Sequence, residues 1–430
     1  MNKATKQISK LFAAMVLAGV AGHSFAADTI KIGIAGPKTG PVTQYGDMQF
    51  MGAKQAIADI NAKGGVDGKM LEAKEYDDAC DPKQAVAVAN KVVNDGVKFV
   101  VGHLCSSSTQ PASDIYEDEG VIMITPAATS PEITSRGYKL IFRTIGLDSA
   151  QGPAAGNYIA DHVKPKVVAV IHDKQQYGEG IATAVKQTLE KKGVKVALFF
   201  EGINAGDKDF GSLIQKLKQA NVDFVYYGGY HPELGLILRQ AKEKGVNAKF
   251  MGPEGVGNDS ISQIAQGASE GLLVTLPKSF DTDPANKAIV EEFTKNKQDP
   301  TGPFVFPAYS AVEVIAGGIA AAKSEDTAKV AAAIHAGTFK TPTGDLSFDA
   351  KGDLKDFKFV VYEWHFGGNQ KPKFPLSKPG VTGQQAHCAS SGLCFTRFMG
   401  LTPAIRALAH LKILKPSPAV RWQTLRATCS

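Results

Sequence analysis

Short apolar runs alternate with stretches of helix length along this chain, and the alternation occurs in two copies. The first copy holds runs at Ile30–Ala35, Leu71–Tyr76, Lys98–Leu104 and Val121–Pro126. The second holds Val167–Asp173, Val194–Phe200, Phe224–Gly228 and Lys249–Gly252. Gly52–Ala62, Pro82–Asn94, Gly180–Lys192 and Phe210–Ala220 lie between runs and predict helices. Strands separated by helices pair in parallel, and a parallel sheet must be covered on both faces. The segment Gly96–His103 (GVKFVVGH) resembles Asn221–Gly228 (NVDFVYYG) and holds the same place in its copy. The expectation is two similar α/β lobes with right-handed crossovers.

The chain continues past the second copy. Gly271–Lys278 predicts a further strand, Ala285–Lys297 and Pro307–Lys323 predict helices, and Phe357–Trp364 predicts a last strand. A chain that leaves the second lobe, returns to the first and ends on the second crosses between them several times. Such crossings form a hinge, and a hinge lets a cleft open and close. At 430 residues and 43% apolar content the chain has ample material for two cores. No apolar run reaches the roughly 18 residues of a membrane span.

The ends differ from the body. Lys3, Lys6 and Lys10 precede the apolar run Leu11–Gly22, and Ser24 and Ala26 place small residues at −3 and −1 of a cleavage site before Ala27. Residues 1–26 therefore read as a signal peptide, which implies export and a disulfide-permissive compartment. Residues 372–430 hold eight Lys/Arg and no Asp or Glu, and read as an atypical basic tail, disordered or non-native. Without both ends, 37 of the 48 basic residues remain against 42 acids, so the body is mildly acidic. That removes the main support for nucleic-acid binding. Of five cysteines, Cys388, Cys394 and Cys429 lie in the tail, at no recognised metal spacing even with the adjacent His387. A bond between the other two, Cys80 and Cys105, would close a loop worth about 3.5 kcal/mol; two buried thiols are the alternative.

In open parallel sheets ligands lie beyond the carboxyl ends of the strands. In the first lobe those positions are a Gly/Pro-rich loop leading to Tyr45, the run Leu104, Cys105, Ser106, Ser107, Ser108 and Thr109, and the segment Pro126 to Thr129. Hydroxyls and amides at a helix start suit a carboxylate. The second lobe presents Gln175 to Gly178 with Tyr177, Gly228 to His231 with Tyr230, and Gly252 to Gly255 with Glu254. Glu254 suits a cation, the aromatics suit an apolar side chain, and His231 packs or caps. Together these describe a free α-amino acid with a hydrophobic side chain. Catalytic patterns are weak. GIAGPKTG from Gly33 to Gly40 lacks dinucleotide spacing, and there is no phosphate loop. No nucleophile elbow comes with a partnered acid and His. No cofactor or metal is expected, and the chain does not read as an enzyme.

Five segments carry a longer resemblance: Asp77–Asn90 (DDACDPKQAVAVAN), Gly102–Gly120 (GHLCSSSTQPASDIYEDEG), His172–Gly180 (HDKQQYGEG), Tyr226–Glu233 (YYGGYHPE) and Phe250–Gly257 (FMGPEGVG). From about Asp28 to Gln370 the chain resembles the periplasmic binding proteins of branched-chain amino-acid ABC importers. The resemblance implies an α/β, class I periplasmic binding protein fold, with two Rossmann-like lobes joined by a three-crossing hinge. On that fold residues 27–147 and 278–357 form the first lobe, and 148–277 and 358–371 the second. It implies a Cys80–Cys105 disulfide, a branched-chain amino acid as ligand, a membrane permease of an ABC importer as partner, a monomer, and a periplasmic location.

Residue by residue, the resemblance gives Ser106 and the Thr129 N–H to the ligand carboxylate. The Ala127 carbonyl, the Thr129 hydroxyl and Glu254 go to its ammonium. Tyr45, Leu104, Cys105 and Phe304 wall the side chain from the first lobe, and Tyr177 and Tyr230 from the second. Phe304 is the one member that strand-end reasoning does not reach. Leucine-specific relatives carry Trp at the position of Tyr45 and Tyr at that of Phe304, so the residues here resemble the broader Leu/Ile/Val type. Phe306 stands where close relatives often carry Trp, and the tail lies outside the resemblance. Two other readings remain open: binding of another amino acid or amide on the same fold, and an exported α/β enzyme.

Overall fold

The computed structural model describes residues 28–200 and 203–366. The expected signal peptide, the basic tail and its three cysteines lie outside the described residues.

The first half alternates strand and helix: β1 (Ile30–Gly36), α1 (Thr43–Ala62), β2 (Leu71–Asp77), α2 (Pro82–Asn94), β3 (Phe99–Gly102), α3 (Ser106–Asp118), β4 (Ile122–Thr125) and β5 (Ile141–Arg143). A second run follows: α4 (Asp148–Tyr158), β6 (Val168–His172), α5 (Gln176–Lys191), β7 (Val196–Phe200), α6 (Gly211–Gln219), β8 (Phe224–Gly228), α7 (His231–Glu243), β9 (Lys249–Gly252), α8 (Ser260–Ala265) and β10 (Leu273–Pro277). The chain closes with α9 (Lys287–Lys295), α10 (Val305–Ala322), α11 (Thr327–Ala336), the hairpin β11 (Phe339–Thr341) and β12 (Gly344–Leu346), and β13 (Phe359–Glu363).

The strands form two large sheets, ordered β2-β1-β3-β4-β5 and β13-β10-β9-β8-β6-β7. All pairings in the first are parallel; Ile32, for instance, lies between Ala73 and Phe99. In the second, β13 is antiparallel to β10, with Leu273 opposite Glu363. The alternating pattern had suggested parallel pairing throughout. The exception arises because β13 is reached from the other lobe and not through a crossover helix of its own. The chain passes between the sheets three times: after β5, after β10 and before β13.

Each sheet is covered on both faces, as its fully buried central strands require. One face of the first packs Ile32, Ile34, Val101 and Ile124 against α1, α10 and α11. The other packs Ala35, Val100 and Met123 against α2 and α3. The second sheet buries Ala169, Val225 and Val274 under α6, α7 and α8. A further apolar cluster runs from Tyr45, Leu104 and Phe304 of the first lobe to Val170, Tyr177 and Tyr226 of the second. Helix α10 is apolar enough and, at 18 residues, long enough to cross a membrane, yet it is a core helix packed against α1.

That α1–α10 contact depends on Gly52. A Cβ at this position would stand 2.0 Å from the Val305 carbonyl oxygen, a backbone atom that cannot rotate away. Tyr45 on α1 and Phe304 at the N-cap of α10, both expected at the pocket, meet with their rings edge to face at 5.2 Å. Gly52→Ala is expected to cost about 1–3 kcal/mol by overpacking. It should lower the melting temperature and weaken ligand binding together. Unchanged melting would show that the helices separate freely there.

Candidate functional site

The site is built from loops at the carboxyl ends of strands in both lobes. After β3 the chain runs through Leu104 and Cys105 into α3, whose first residue is Ser106. After β4, Thr125 shapes the next loop. Its hydroxyl donates to the His103 carbonyl at 2.7 Å and accepts from the N–H groups of Ala127 at 3.3 Å and Ala128 at 2.9 Å. The Ser130 N–H donates to the Ser106 hydroxyl at 3.4 Å, joining this loop to the start of α3. Ser106, Ala127 and Thr129 therefore sit together, all buried.

In the second lobe, Tyr177 lies in the first turn of α5, Tyr230 caps α7, and Glu254 follows β9. The Tyr177 and Tyr230 rings lie 5.3 Å apart, and the Tyr177 hydroxyl accepts from the Gly255 N–H at 3.2 Å. The two sides meet directly. The Tyr45 hydroxyl donates to the Glu254 carbonyl at 3.2 Å, and the Tyr45 ring packs edge-on against His231 at 5.4 Å. At the rim the Gln176 side chain donates to the Ser130 hydroxyl at 3.1 Å and to Glu132 at 3.3 Å, and it also pairs with Gln110. One cavity is lined by Leu104, Ser106, Ala127, Tyr177, Tyr230, Glu254, Gly255 and Phe304. Tyr45, Cys105 and Thr129 share the surrounding buried shell.

Charge in the site is one-sided. Glu254 is fully buried, and burial followed by the nearby Asp148 carboxylate pushes its pKa up to about 8. One of its oxygens bonds the Gln151 amide, and the other, Oε1, has no hydrogen-bond partner. Gln151 is held in turn by the Thr275 hydroxyl at 2.9 Å and the Thr275 carbonyl at 3.2 Å. Asp148 is buried as well, and burial raises its pKa to about 7, against the pull of Thr129 and Arg143. Its carboxylate makes no close hydrogen bond, and Thr129 and Arg143 act on it from farther off. A buried carboxyl without a counter-charge is unstable as an anion. A cation placed beside the pair would relieve that instability. His231 is no counter-charge, since burial lowers its pKa to about 4, and its Nδ1 engages the Asn258 amide at 2.9 Å.

Strand-end reasoning reached Tyr45, Leu104, Cys105, Ser106, Ala127, Thr129, Tyr177, Tyr230 and Glu254, and the structure brings all of them to one place. It missed Phe304, the N-cap residue of α10, because that helix does not follow a strand of the repeat. It also missed Asp148 and Gln151. Their helix, α4, follows a strand of only three residues and is diluted by Gly152, Pro153 and Gly156. Cys80 and Cys105 are joined in a disulfide with Cα atoms 5.5 Å apart.

Residues 29–369 match the family model described as periplasmic binding protein. The chain is 69% identical over 365 residues to the leucine-, isoleucine-, valine-, threonine- and alanine-binding protein of Pseudomonas aeruginosa, covering 85% of this chain and 98% of that one. It is 58% identical over 357 residues to the Leu/Ile/Val-binding protein of Escherichia coli K12, covering 82% and 96%. Among solved structures, a leucine-binding protein of Thermotoga maritima superposes with a TM-score of 0.74 at 27% identity, covering 81% of this chain and 98% of that one. A branched-chain amino-acid transporter substrate-binding protein of Streptococcus pneumoniae, in complex with isoleucine, gives 0.71 at 25% identity and covers 81% and 100%.

Proposed function

The chain belongs to the periplasmic binding protein family, and on that premise we propose that its cleft captures leucine, isoleucine or valine and delivers it to a membrane permease of an ABC importer. The observation that carries this reading is Glu254: a buried acid with a pKa of about 8 and an unpartnered oxygen at the wall of a cavity between two lobes. An α-ammonium supplies the missing charge. The Ala127 carbonyl and the Thr129 hydroxyl are its other acceptors. The Ser106 hydroxyl and the Thr129 N–H take the carboxylate at the start of α3, where the helix dipole favours an anion. Tyr45, Leu104, Cys105 and Phe304 wall the side chain, and Tyr177 and Tyr230 close over it from the other lobe.

Within the described residues the lobes are 28–147 with 278–357, and 148–277 with 358–366. Contacts from the second lobe form only on closure, so the ligand draws the population toward the closed form by its extra affinity for it. The closed form is what a permease recognises. Residues 1–26 direct export to the periplasm, where the protein acts as a monomer without a cofactor.

Binding also depends on pH. With no cation beside them, Glu254 and Asp148 have pKa values of about 8 and about 7. In the unfolded chain both titrate near about 4. The folded form therefore holds more protons than the unfolded one across this window, and its stability without ligand falls as pH rises from about 4 to about 8. A bound ammonium offsets that loss. The rise in melting temperature on adding leucine should thus be larger at pH near 8 than near 5, and a rise independent of pH would remove the carboxyl pair from the account.

The function is tested by thermal shift against a panel of Leu, Ile, Val, Thr, Ala, Phe and Glu. Leu, Ile and Val are expected to stabilise strongly and Glu not at all, because no basic group lines the side-chain wall. Threonine and alanine, named for the Pseudomonas relative, measure how far the pocket accepts small side chains. Stabilisation by none of the seven, in a folded protein, would contradict the reading.

A further inference from the structure

We propose that Arg143 and Asp353 form a buried positioning pair that sets the shape of the ligand loop Ala127–Ser130. Neither residue lines the cavity, so both act through that loop. Arg143 ends β5, immediately before the first crossing to the other lobe, and its side chain has no exposed surface. Its guanidinium spends every arm on one task. Nη1 donates to the Ala128 carbonyl at 2.7 Å, and Nη2 to the Ser130 carbonyl at 3.1 Å and the Thr134 hydroxyl at 2.7 Å. Nε donates to Asp353 at 2.6 Å, and the Thr134 hydroxyl donates to the same carboxylate oxygen at 2.8 Å. The two carbonyls flank Thr129 in sequence, so the fork grips the loop on both sides of the residue that offers its hydroxyl and N–H to the ligand.

The anchor of the fork is fixed in turn. Asp353 follows Gly352, whose carbonyl accepts from the Arg143 N–H at 3.1 Å. The Asp353 N–H donates to the Asp349 carboxylate at 3.0 Å, and the Asp353 carbonyl accepts from the Asp349 N–H at 2.8 Å. On the inner side Thr125 ties the loop to the His103 carbonyl. The loop is thus held from within by a hydroxyl and from behind by a charge-assisted fork. A fully buried ion pair is weak evidence of stability for its own sake, because desolvation offsets much of the attraction. A pair that also satisfies two carbonyls and a hydroxyl is explained by the geometry it imposes. Lysine cannot replace it, since a single ammonium lacks the planar fork that spans both carbonyls.

The proposal rests on the assignment of Thr129 and Ala127 to the ligand, and the test separates the two. Leucine affinity and melting temperature are measured for the wild type, Arg143→Lys, Thr129→Val, Tyr230→Phe, and Arg143→Lys combined with each of the other two. Arg143→Lys should weaken leucine binding about tenfold or more, the scale of a lost charge-assisted hydrogen bond. Thr129→Val should then cost less in the Lys background than in the wild type, because its partner atoms are already misplaced. Tyr230→Phe should cost the same in both. Where Arg143→Lys does not fold, Thr134→Val carries the same expectation of coupling to Thr129. Leucine affinity unchanged within about twofold, or additive effects with Thr129→Val, would overturn the positioning role. Failure of the wild type to bind leucine would overturn the site assignment itself.

Discussion

Replacing Glu254 by glutamine is expected to cost leucine binding about 2–5 kcal/mol, roughly thirty- to several-thousand-fold in Kd. Glutamine keeps the size of the side chain and one acceptor but presents no charge to an ammonium removed from water. Besides the nearby Asp148, whose own charge burial disfavours, the proposed acceptors that remain, the Ala127 carbonyl and the Thr129 hydroxyl, are neutral dipoles. The fold should not suffer. Glu254 is buried with a pKa raised to about 8, so its charge is already disfavoured without a cation. Losing the charge should leave melting without ligand unchanged or higher. Calorimetric titration and a melting curve on the same sample separate the two effects. A glutamine variant that binds leucine within about twofold of the wild type would remove Glu254 from the ammonium site.

Removing the Cys80–Cys105 bond should have the largest effect on stability. The cysteines are 25 residues apart, and the loop they close is worth about 3.5 kcal/mol by restricting the unfolded chain. The native loop adds to this. Ala79 and Cys80 both have positive φ, at 51° and 59°, a region that costs a residue with a Cβ about 1–2 kcal/mol. Asp77 and Asp78 hold the turn by accepting from the Ala79 N–H at 3.0 Å and the Cys80 N–H at 2.9 Å. Asp78 is fixed in its turn by His103 Nδ1 at 2.5 Å, and His103 Nε2 meets the Tyr116 hydroxyl at 3.1 Å. Without the crosslink, only these hydrogen bonds and those of Asp77 with Lys38 and Thr39 restrain the strained turn. The double Cys→Ser variant should therefore melt well below the wild type. Cys105 also precedes α3, and its carbonyl accepts from the N–H groups of Ser108 and Thr109. Leucine affinity should fall as well, but by less than for the Glu254 variant. Melting equal to that of the wild type would mean the turn is held by hydrogen bonds alone.

What the sequence made legible follows from what its signals report. Phe224–Gly228, Lys249–Gly252 and Pro82–Asn94 were read with the bounds they have, because buried strands are largely continuous apolar runs and Pro82 follows a capping Asp81. Helix α1 begins at Thr43, well before the expected Gly52, since its first turns bury Tyr45 beside Phe304, Gly46 against Pro37 and Gln49 on the Ala35 and Val101 carbonyls, and so show no amphipathic stripe. Strand β5 and helix α11 passed unread. A three-residue strand is too short to show alternation, and Thr327–Ala336 is rich in alanine on every side. At the site, residues just after strands were visible because topology alone places them at the cleft. Phe304, Asp148, Gln151 and Arg143 were not, since each arrives through the hinge or the returning chain. Their roles depend on contacts between residues far apart in sequence, such as Gln151 with Thr275, 124 apart, and Arg143 with Asp353, 210 apart.

The most direct test is a calorimetric titration of leucine into the full chain, unfolded and refolded beforehand to remove carried-over ligand. One molecule should bind per chain with a Kd of about micromolar or tighter. The heat-capacity change should be negative as Tyr45, Tyr177, Tyr230 and Phe304 close over the side chain. A folded protein that takes up no leucine, isoleucine or valine at millimolar concentration would contradict the account at its centre.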